Sequence, residues 1–263
     1  MCSVTFIPRP NGFIIAMNRD EQRTRAQGLP PALDETGDAL FPSEPGGGTW
    51  IGINRSGVAF TLLNWYSVPW SRPATGSISR GEIIPALLGQ VMSLDAMHDA
   101  WDAIPLRSHQ PFRLVAYFLG EKALQEWQWD GKRLCCLPCA WQVNHWFSSG
   151  QKEPEVQAER MRTARVAWSM TGAGNLPWLR ELHASHLPGR GPLSICMHRE
   201  DACTVSSTEL AIEAGTARMT YIPGAPCECS SKRWTSATLQ LNQPASPASP
   251  AARCGRFTHP HAA

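Results

Sequence analysis

The stretch CSVTFIPRPNGFIIAMNRDE, residues 2–21, decides the fold prediction. Residues 3–7 and 12–17 are short apolar runs, and a Pro-Arg-Pro-Asn-Gly turn separates them. Strand-like runs on either side of such a turn predict a β-hairpin. The polar residues Asn18-Arg19-Asp20-Glu21 then follow the second strand. An antiparallel sheet is therefore expected to begin at the start of the chain.

The hairpin places chemistry-bearing side chains together, because the end of its second strand lies near the start of its first. Arg19 and Asp20 are thus expected near Cys2; an arginine would lower a thiol pKa, and a carboxylate would hold an ammonium group or a substrate N–H. Removal of Met1 would make Cys2 the first residue, with its own α-amine as a base. The alternatives are that Cys2 is only a small apolar residue and that residues 18–21 form a solvated turn.

The rest of the chain alternates between strand and helix patterns, which predicts an α+β protein with helices covering antiparallel sheets. Residues 1–242 are expected to form one domain, and the Pro/Ala/Ser-rich residues 243–263 a disordered, dispensable tail. Residues 22–48 carry many prolines and glycines and are interpreted as a long loop, a candidate substrate or lid segment. The remaining predicted strands are 49–54, 58–64, 112–119, 124–129, 133–137, 142–147, 193–198, 204–212 and 218–222. The predicted helices are 83–92, 94–104, 154–170 and 176–187.

Composition excludes several classes of protein. The chain has 263 residues, 43% of them hydrophobic, and a net charge of +2, so it can bury a core and is not a nucleic-acid protein held by charge. It has no apolar run long enough to span a membrane. The start of the chain does not resemble a secretory signal, and the nine cysteines then indicate a reducing, cytoplasmic compartment.

No motif predicts a cofactor or a metal ion. Cys135-Cys136-x-x-Cys139 and Cys227-x-Cys229 lack a repeated C-x-x-C spacing, which favours buried, inert thiols over zinc. His183-Ala-Ser-His186 lacks the glutamate of a zincin, which favours packing or surface histidines. The glycine-rich residues 46–52 lack the lysine of a phosphate-binding loop and are interpreted as a close approach of another backbone or a ligand.

Together these motifs resemble the NRDE family, also called the Transport and Golgi organisation protein 2 family. The matching residues are Met1-Cys2, Asn18-Arg19-Asp20-Glu21, Gly47-Gly48-Thr49-Trp50-Ile51-Gly52-Ile53, Leu62-Leu63-Asn64, Ser79-Arg80-Gly81-Glu82, and Arg199 with Thr204-Val205-Ser206. That family is similar to N-terminal nucleophile (Ntn) hydrolases, particularly bile-salt hydrolases and penicillin V acylases. The resemblance implies a four-layer αββα sandwich over roughly residues 1–225.

The resemblance also implies roles for individual residues. Cys2 would be the nucleophile, Arg19 and Asp20 its supporting pair, Asn64 an oxyanion donor and Arg199 a late active-site arginine. The expected substrate-binding residues are Asn18, Trp50 and Ser149. The chain departs from the family at Ser148-Ser149, where many members have Ser-Asn.

Two functions follow from the resemblance. The first is a cysteine amidohydrolase that cleaves a small linear amide through an acyl-enzyme. The second is a binding or trafficking protein for haem or an acyl-CoA or lipid ligand, without turnover. The 11 tryptophans suit a flat apolar ligand, although tryptophans more often belong to a core.

Overall fold

The computed structural model describes residues 2–71 and 76–242; Met1 and the predicted tail, residues 243–263, lie outside the described residues. Two antiparallel β-sheets pack face to face, and helices cover the outer face of each. The α+β class and the αββα layer order predicted from the sequence are confirmed.

The first sheet contains six strands in the order β10-β1-β2-β11-β12-β13. Their bounds are β1 Cys2–Arg9, β2 Gly12–Gln22, β10 Asn144–Ser148, β11 Ala202–Glu213, β12 Thr216–Pro223 and β13 Thr235–Gln240. The predicted hairpin is confirmed within this sheet: β1 pairs with β2, so Cys2 lies opposite Arg19.

The second sheet contains seven strands in sequence order. They are β3 Leu29–Leu33, β4 Ala39–Ser43, β5 Ile51–Asn54, β6 Val58–Asn64, β7 Phe112–Phe118, β8 Ala123–Trp129 and β9 Leu134–Cys139. The predicted strands 49–54 and 58–64 are joined by a tight turn, with Gly57 at φ +77° and its N–H donating to the Asn54 carbonyl. Only a glycine adopts this backbone conformation without strain.

Four α-helices form the outer layers of the described chain. They are α1 Ile83–Leu88, α2 Leu94–Ala100, α3 Glu153–Trp168 and α4 Leu176–Ala184. The first two bury their apolar faces against the second sheet, and the last two against the first sheet. Within residues 2–71 and 76–242, no helix has both the length and the apolar character needed to cross a membrane.

The first hairpin separates its side chains by strand alternation. Val4 and Phe6 of β1 enter the core between the sheets, whereas Ile7 packs with the helical layer of α3 and α4. On β2, Met17 likewise enters the inner core and Ala16 the helical side. Because the side-chain period of a strand is two, neighbours in the polar run at 18–21 must point to opposite faces.

Three sequence predictions about structure are wrong. Residues 22–48 are not one loop, because they contain β3 and β4. Residues 193–198 are not a strand; they form turns, and His198 makes an isolated bridge to Cys203. The cysteines of β9 are not buried: Cys135 is exposed, and its two neighbours are partly exposed on an edge strand.

Candidate functional site

A cavity of about 510 Å³ opens at the end of the sandwich where β1 begins. Its walls come from both sheets: Cys2 of β1, Arg19 and Glu21 of β2, and Asn64 at the end of β6. Loops supply most of the rest, including the glycine-rich segment before β5 and the Ser-Arg-Gly segment before α1. Of the predicted site residues, Cys2, Arg19, Asn64 and Trp50 line this one cavity.

Cys2 is held in place by the sheet on both sides. It pairs with Arg19 across the first hairpin and with Ser148 of β10. Its backbone N–H donates to the Ser148 hydroxyl at 3.0 Å. Cys2 is only 6% exposed, and it lines the cavity wall.

The guanidinium of Arg19 lies on the cavity wall among charged and aromatic groups. It donates to the Glu44 carboxylate, lies 3.8 Å from the Glu21 carboxylate, and stacks 4.8 Å above the Trp50 ring. Its Nη1 atom is buried and has no hydrogen-bond partner in the described part of the chain. A buried donor without an acceptor is costly, so this nitrogen is suited to a polar group of a ligand.

Burial raises the pKa of the Cys2 thiol. The negative charges of Asp20 and Glu21 raise this pKa further, while Arg19 lowers it. Desolvation disfavours the charged form, and here it outweighs the arginine. The resting sulfur is therefore a thiol, and it needs a base to become a nucleophile.

Asn64 contributes an amide to the cavity at the end of β6. Its Nδ2 donates to the Tyr66 hydroxyl at 2.6 Å, and both residues line the cavity. A primary amide has two N–H donors, so a second one is available for a ligand oxygen.

Two glycines bring the loops of the cavity wall together. A Cβ built on Gly81 would lie 3.0 Å from the Gly48 Cα, and one on Gly48 would lie 3.1 Å from the Gly81 Cα. The Thr49 N–H donates to the Gly81 carbonyl at 2.9 Å. The predicted close backbone approach at the glycine-rich segment is thus to the chain's own Ser-Arg-Gly segment.

Arg80 is a further cation on the cavity wall. Its Nη1 donates to the Pro111 carbonyl at 2.9 Å, and its guanidinium lies 5.8 Å from the Tyr66 ring centroid. Arg19 and Arg25 both pair with Glu44, whereas Arg80 has no carboxylate within ion-pair distance among residues 2–71 and 76–242. Burial lowers the pKa of Arg80, yet an arginine remains charged near neutrality.

Asp20 and Arg199 line an adjoining groove of about 160 Å³ rather than the main cavity. Glu21 and Tyr66 line both the groove and the cavity, so the two spaces adjoin at these side chains. Asp20 accepts from Arg160 and Thr204, and Arg199 pairs with Asp201. The sequence placed Asp20 beside Arg19, but strand alternation turns the two apart.

Asn18 and Ser149 line neither space. Asn18 is fully buried toward the helices; its amide donates to the carbonyls of His183 and Ile195 at 2.8 and 3.1 Å. The Ser149 hydroxyl donates to the Gln151 carbonyl at 2.6 Å. The substrate-binding role expected for these two side chains stays a prediction.

Sequence reasoning missed three side chains of the cavity. Glu44 lies within residues 22–48, which were interpreted as one loop. Arg80 belongs to the Ser79-Arg80-Gly81-Glu82 motif, for which the sequence predicted no function. Tyr66 follows Asn64 by two residues on the chain. The available signal was the Ser-Arg-Gly-Glu motif, which contains a charged residue beside a glycine that backs onto the cavity.

Comparison with known proteins supports the fold and the family. A family model described as Transport and Golgi organisation 2 matches residues 1–136. No curated protein matches the chain.

Solved structures with a similar fold include a mutant of the conjugated bile acid hydrolase from Clostridium perfringens, with a TM-score of 0.53 and 10% identity over 92% of this chain and 97% of that chain. A variant of the same hydrolase has a TM-score of 0.50 and 9% identity, over 94% of this chain and 100% of that chain. Penicillin V acylase from Agrobacterium tumefaciens gives 0.48 and 13% identity over 92% of each. The fold predicted by resemblance, that of the Ntn hydrolases, is confirmed.

Proposed function

Because the chain belongs to the Transport and Golgi organisation 2 family and has an Ntn-hydrolase fold, we propose that it hydrolyses a linear amide of a small molecule through Cys2. The observation that carries this proposal is the meeting of Cys2, Arg19 and Asn64 on one cavity. A thiol, a cation with a spare donor and an amide donor are the parts that acyl transfer requires.

The proposed reaction begins with loss of Met1, which frees the α-amine of Cys2. This amine takes the thiol proton, and the thiolate sulfur attacks the amide carbonyl carbon. The carbonyl oxygen becomes an oxyanion that accepts a hydrogen bond from Asn64 Nδ2. When the oxyanion collapses, the C–N bond breaks and the leaving amine takes the proton from the α-ammonium.

A water molecule then completes the cycle. The α-amine takes a proton from this water, which attacks the thioester carbonyl, and the C–S bond breaks. Cys2 recovers its proton, and the product is a carboxylic acid. The raised pKa of the buried thiol makes such a base necessary, since almost no thiolate exists without one.

We assign Asp20 an electrostatic part in this reaction. Its carboxylate is close enough to raise the pKa of the Cys2 thiol, and the same negative charge favours an α-ammonium on that residue. We also propose that Arg199, which lines the adjoining groove, contacts a more distant part of the substrate.

The charge of the cavity wall favours a class of substrate. Three arginines face two carboxylates there: Arg19, Arg25 and Arg80 against Glu21 and Glu44. Among the described residues, Arg80 has no ion-pair partner. We therefore propose an amide that carries a carboxylate, such as an N-acyl amino acid. The alternative is that haem or an acyl-CoA binds in the same cavity without turnover. A flat apolar ligand is less well matched, because Trp50 is the one tryptophan among the described residues that line the cavity and the wall around it carries charged groups.

Two measurements test the proposal. Intact mass spectrometry, with a reagent specific for an N-terminal cysteine, should show a chain that begins at Cys2. A panel of N-acyl amino acids should then release amine, with a mass increment of the acyl group trapped on the Cys2 peptide by acid quenching. Cys2→Ala should remove both amine release and the increment, whereas Cys135→Ala, at an exposed cysteine far along the chain, should leave both unchanged.

Retention of Met1 in protein purified from its native host would contradict the mechanism. So would amine release that persists in Cys2→Ala. Binding of haem or an acyl-CoA in the cavity with no turnover of any amide would favour the alternative.

A further inference from the structure

A second cluster of chemically active side chains lies away from the cavity. His186 follows α4, Cys196 and His198 precede β11, and Cys227 follows β12. One ligand atom of each lies within 4.8 Å of those of the other three. Four separate positions on three segments thus converge on one point.

The spacing within the cluster matches a tetrahedral metal site. Zinc binds thiolate at about 2.3 Å and imidazole nitrogen at about 2.0–2.1 Å, so a sulfur and a nitrogen on one zinc ion are about 3.6 Å apart. His198 Nε2 lies 3.5 Å from Cys196 Sγ and 3.4 Å from Cys227 Sγ. The wider separations, up to 4.8 Å, require one side chain to move by about an ångström.

The fourth member supplies an independent observation. His186 Nε2 is buried and has no hydrogen-bond partner in the described residues. The His186 ring meets the His198 ring edge to face at 5.1 Å, so the unpaired nitrogen belongs to a ring already in the cluster. A buried ring nitrogen without a partner is uncommon, and a metal ion would satisfy it.

We propose that His186, Cys196, His198 and Cys227 form a zinc site. Two thiolates and two imidazoles make a closed set of four ligands, which is typical of a structural zinc ion and leaves no position for substrate. The sequence predicted no metal because these four ligands have none of the usual spacings along the chain.

Zinc at this position would order the segment of residues 185–201. Apart from the bridge at His198, this segment contains no strand or helix. It nevertheless supports the first sheet, because the Ile195 carbonyl accepts from Asn18 of β2 and the Met197 N–H donates to the Thr204 hydroxyl of β11. Metal binding to chain segments that are otherwise irregular contributes directly to folding stability.

The His198 surroundings fit a partly exposed ligand. Its Nδ1 lies 3.3 Å from Arg190, and Arg190 is also paired with Glu228. An imidazole that binds a metal through Nε2 carries its proton on Nδ1, and an arginine can only donate, so metal binding requires the Arg190 guanidinium to move away from His198 Nδ1. Glu228, with which Arg190 is already paired, holds the guanidinium in that position.

Metal analysis of the purified full chain gives the first test. We expect one zinc per chain, and the metal-free protein should bind Co²⁺ with the visible bands of a tetrahedral site and a thiolate charge-transfer band. Cys227→Ser should lower Co²⁺ affinity by at least about 100-fold, more than the loss of an outer partner does. Cys229→Ser, two residues away and outside the cluster, should leave affinity unchanged.

A second test needs no variant that might fold poorly. Added zinc should protect Cys196 and Cys227 of the wild-type chain from alkylation, while Cys229 labels equally with and without zinc. The proposal is overturned if reduced protein binds neither Zn²⁺ nor Co²⁺ at one equivalent, or if the Co²⁺ spectrum is unchanged in Cys227→Ser. A Cys196–Cys227 disulfide in protein isolated under native reducing conditions would overturn it as well.

Discussion

Asp20 and Arg160 form an ion pair in which both side chains are completely buried, with Arg160 Nη1 3.2 Å from Asp20 Oδ2. The same Nη1 donates to the Ser3 hydroxyl at 2.8 Å, and the Thr204 hydroxyl donates to the other Asp20 oxygen at 2.7 Å. Arg160 thereby connects helix α3 to both strands of the first hairpin, through Asp20 on β2 and through Ser3, the residue after Cys2, on β1.

Breaking this pair from either side should be strongly destabilising. Asp20→Asn and Arg160→Met should each lower the free energy of unfolding by about 3–5 kcal/mol, because each leaves a buried charge without its partner. The double variant should lose less than the sum. Urea unfolding measures all three, with Asp201→Asn, at an exposed carboxylate, as the control. Strict additivity would contradict this account.

Asn64→Ala should reduce kcat for amide hydrolysis by about 10²–10³-fold, the usual loss for an oxyanion donor. Its thermal midpoint should stay close to that of the wild type, since the side chain is partly exposed and bonds only to Tyr66 among the described residues. Gln110→Ala removes another amide from the same cavity wall and should have a much smaller effect. Equal losses in the two variants would rule out a specific role for Asn64.

Arg80→Gln should raise KM for an amide that carries a carboxylate by about tenfold or more, since a hydrogen bond to a charged group is worth about 1.5–3 kcal/mol. The matching substrate without the carboxylate should show little change. Steady-state kinetics on the two substrates give the comparison. A similar KM increase for both would show that Arg80 shapes the cavity instead of binding an anion.

Gly81→Ala should destabilise the cavity wall. The new methyl group would lie 3.0 Å from the Gly48 Cα and 3.3 Å from the Thr49 nitrogen, and overpacking typically costs about 1–3 kcal/mol. Gly89→Ala is the matched control, because its Cβ meets nothing nearer than 4.0 Å. In thermal unfolding, the midpoint of Gly81→Ala should be lower than that of the wild type, and the midpoint of Gly89→Ala should not. Equal midpoints for the two proteins would contradict the close approach.

The buried histidine beneath the first sheet should make stability depend on pH. Burial lowers the pKa of His183 to about 3, with positive charge at His145 and Arg160 adding to the effect. In the unfolded chain its pKa is about 6.5. Between these values the unfolded state binds a proton that the folded state does not, so the free energy of unfolding falls as pH decreases below about 6.5.

The slope from this one group approaches about 1.4 kcal/mol per pH unit. Urea unfolding between pH 7.5 and about 5 measures it before most carboxylates titrate. His183→Gln should reduce the slope by about the share of one group and leave that of His145, whose pKa burial lowers to about 4; His98→Gln, at an exposed histidine, should leave the slope unchanged. A wild-type stability that stays constant over this range would contradict the lowered pKa.

The sequence predicted the central hairpin well because its two strands and turn are all local signals. Pairing of Cys2 with Arg19 followed from the hairpin alone, and the register confirms it. The position of Asp20 did not follow, since the prediction applied proximity along the chain and left out the two-residue period of a strand. That period alone would have separated Asn18 and Asp20 from Arg19 and Glu21.

Other parts of the structure depended on contacts that no local pattern reveals. The strand β3 contains Pro30 and Pro31, which normally argue against a strand, but β3 lies at a sheet edge where missing N–H donors are tolerated. Residues 193–198 have the apolar character of a strand, yet the Cys196 and His198 N–H groups bond to the Ser185 and Gly191 carbonyls instead of a neighbouring strand.

The alternation within Asn18-Arg19-Asp20-Glu21 has a consequence for how relatives of this protein diverge. Asn18 and Asp20 hold the helical layer to the sheet, so selection for folding alone would keep them. Arg19 and Glu21 face the cavity, so selection for the ligand acts on them. A relative that lost the activity would therefore keep Asn18 and Asp20, while Arg19 and Glu21 would be free to change. The first and third positions of the motif would then indicate a shared fold, and the second and fourth a shared activity.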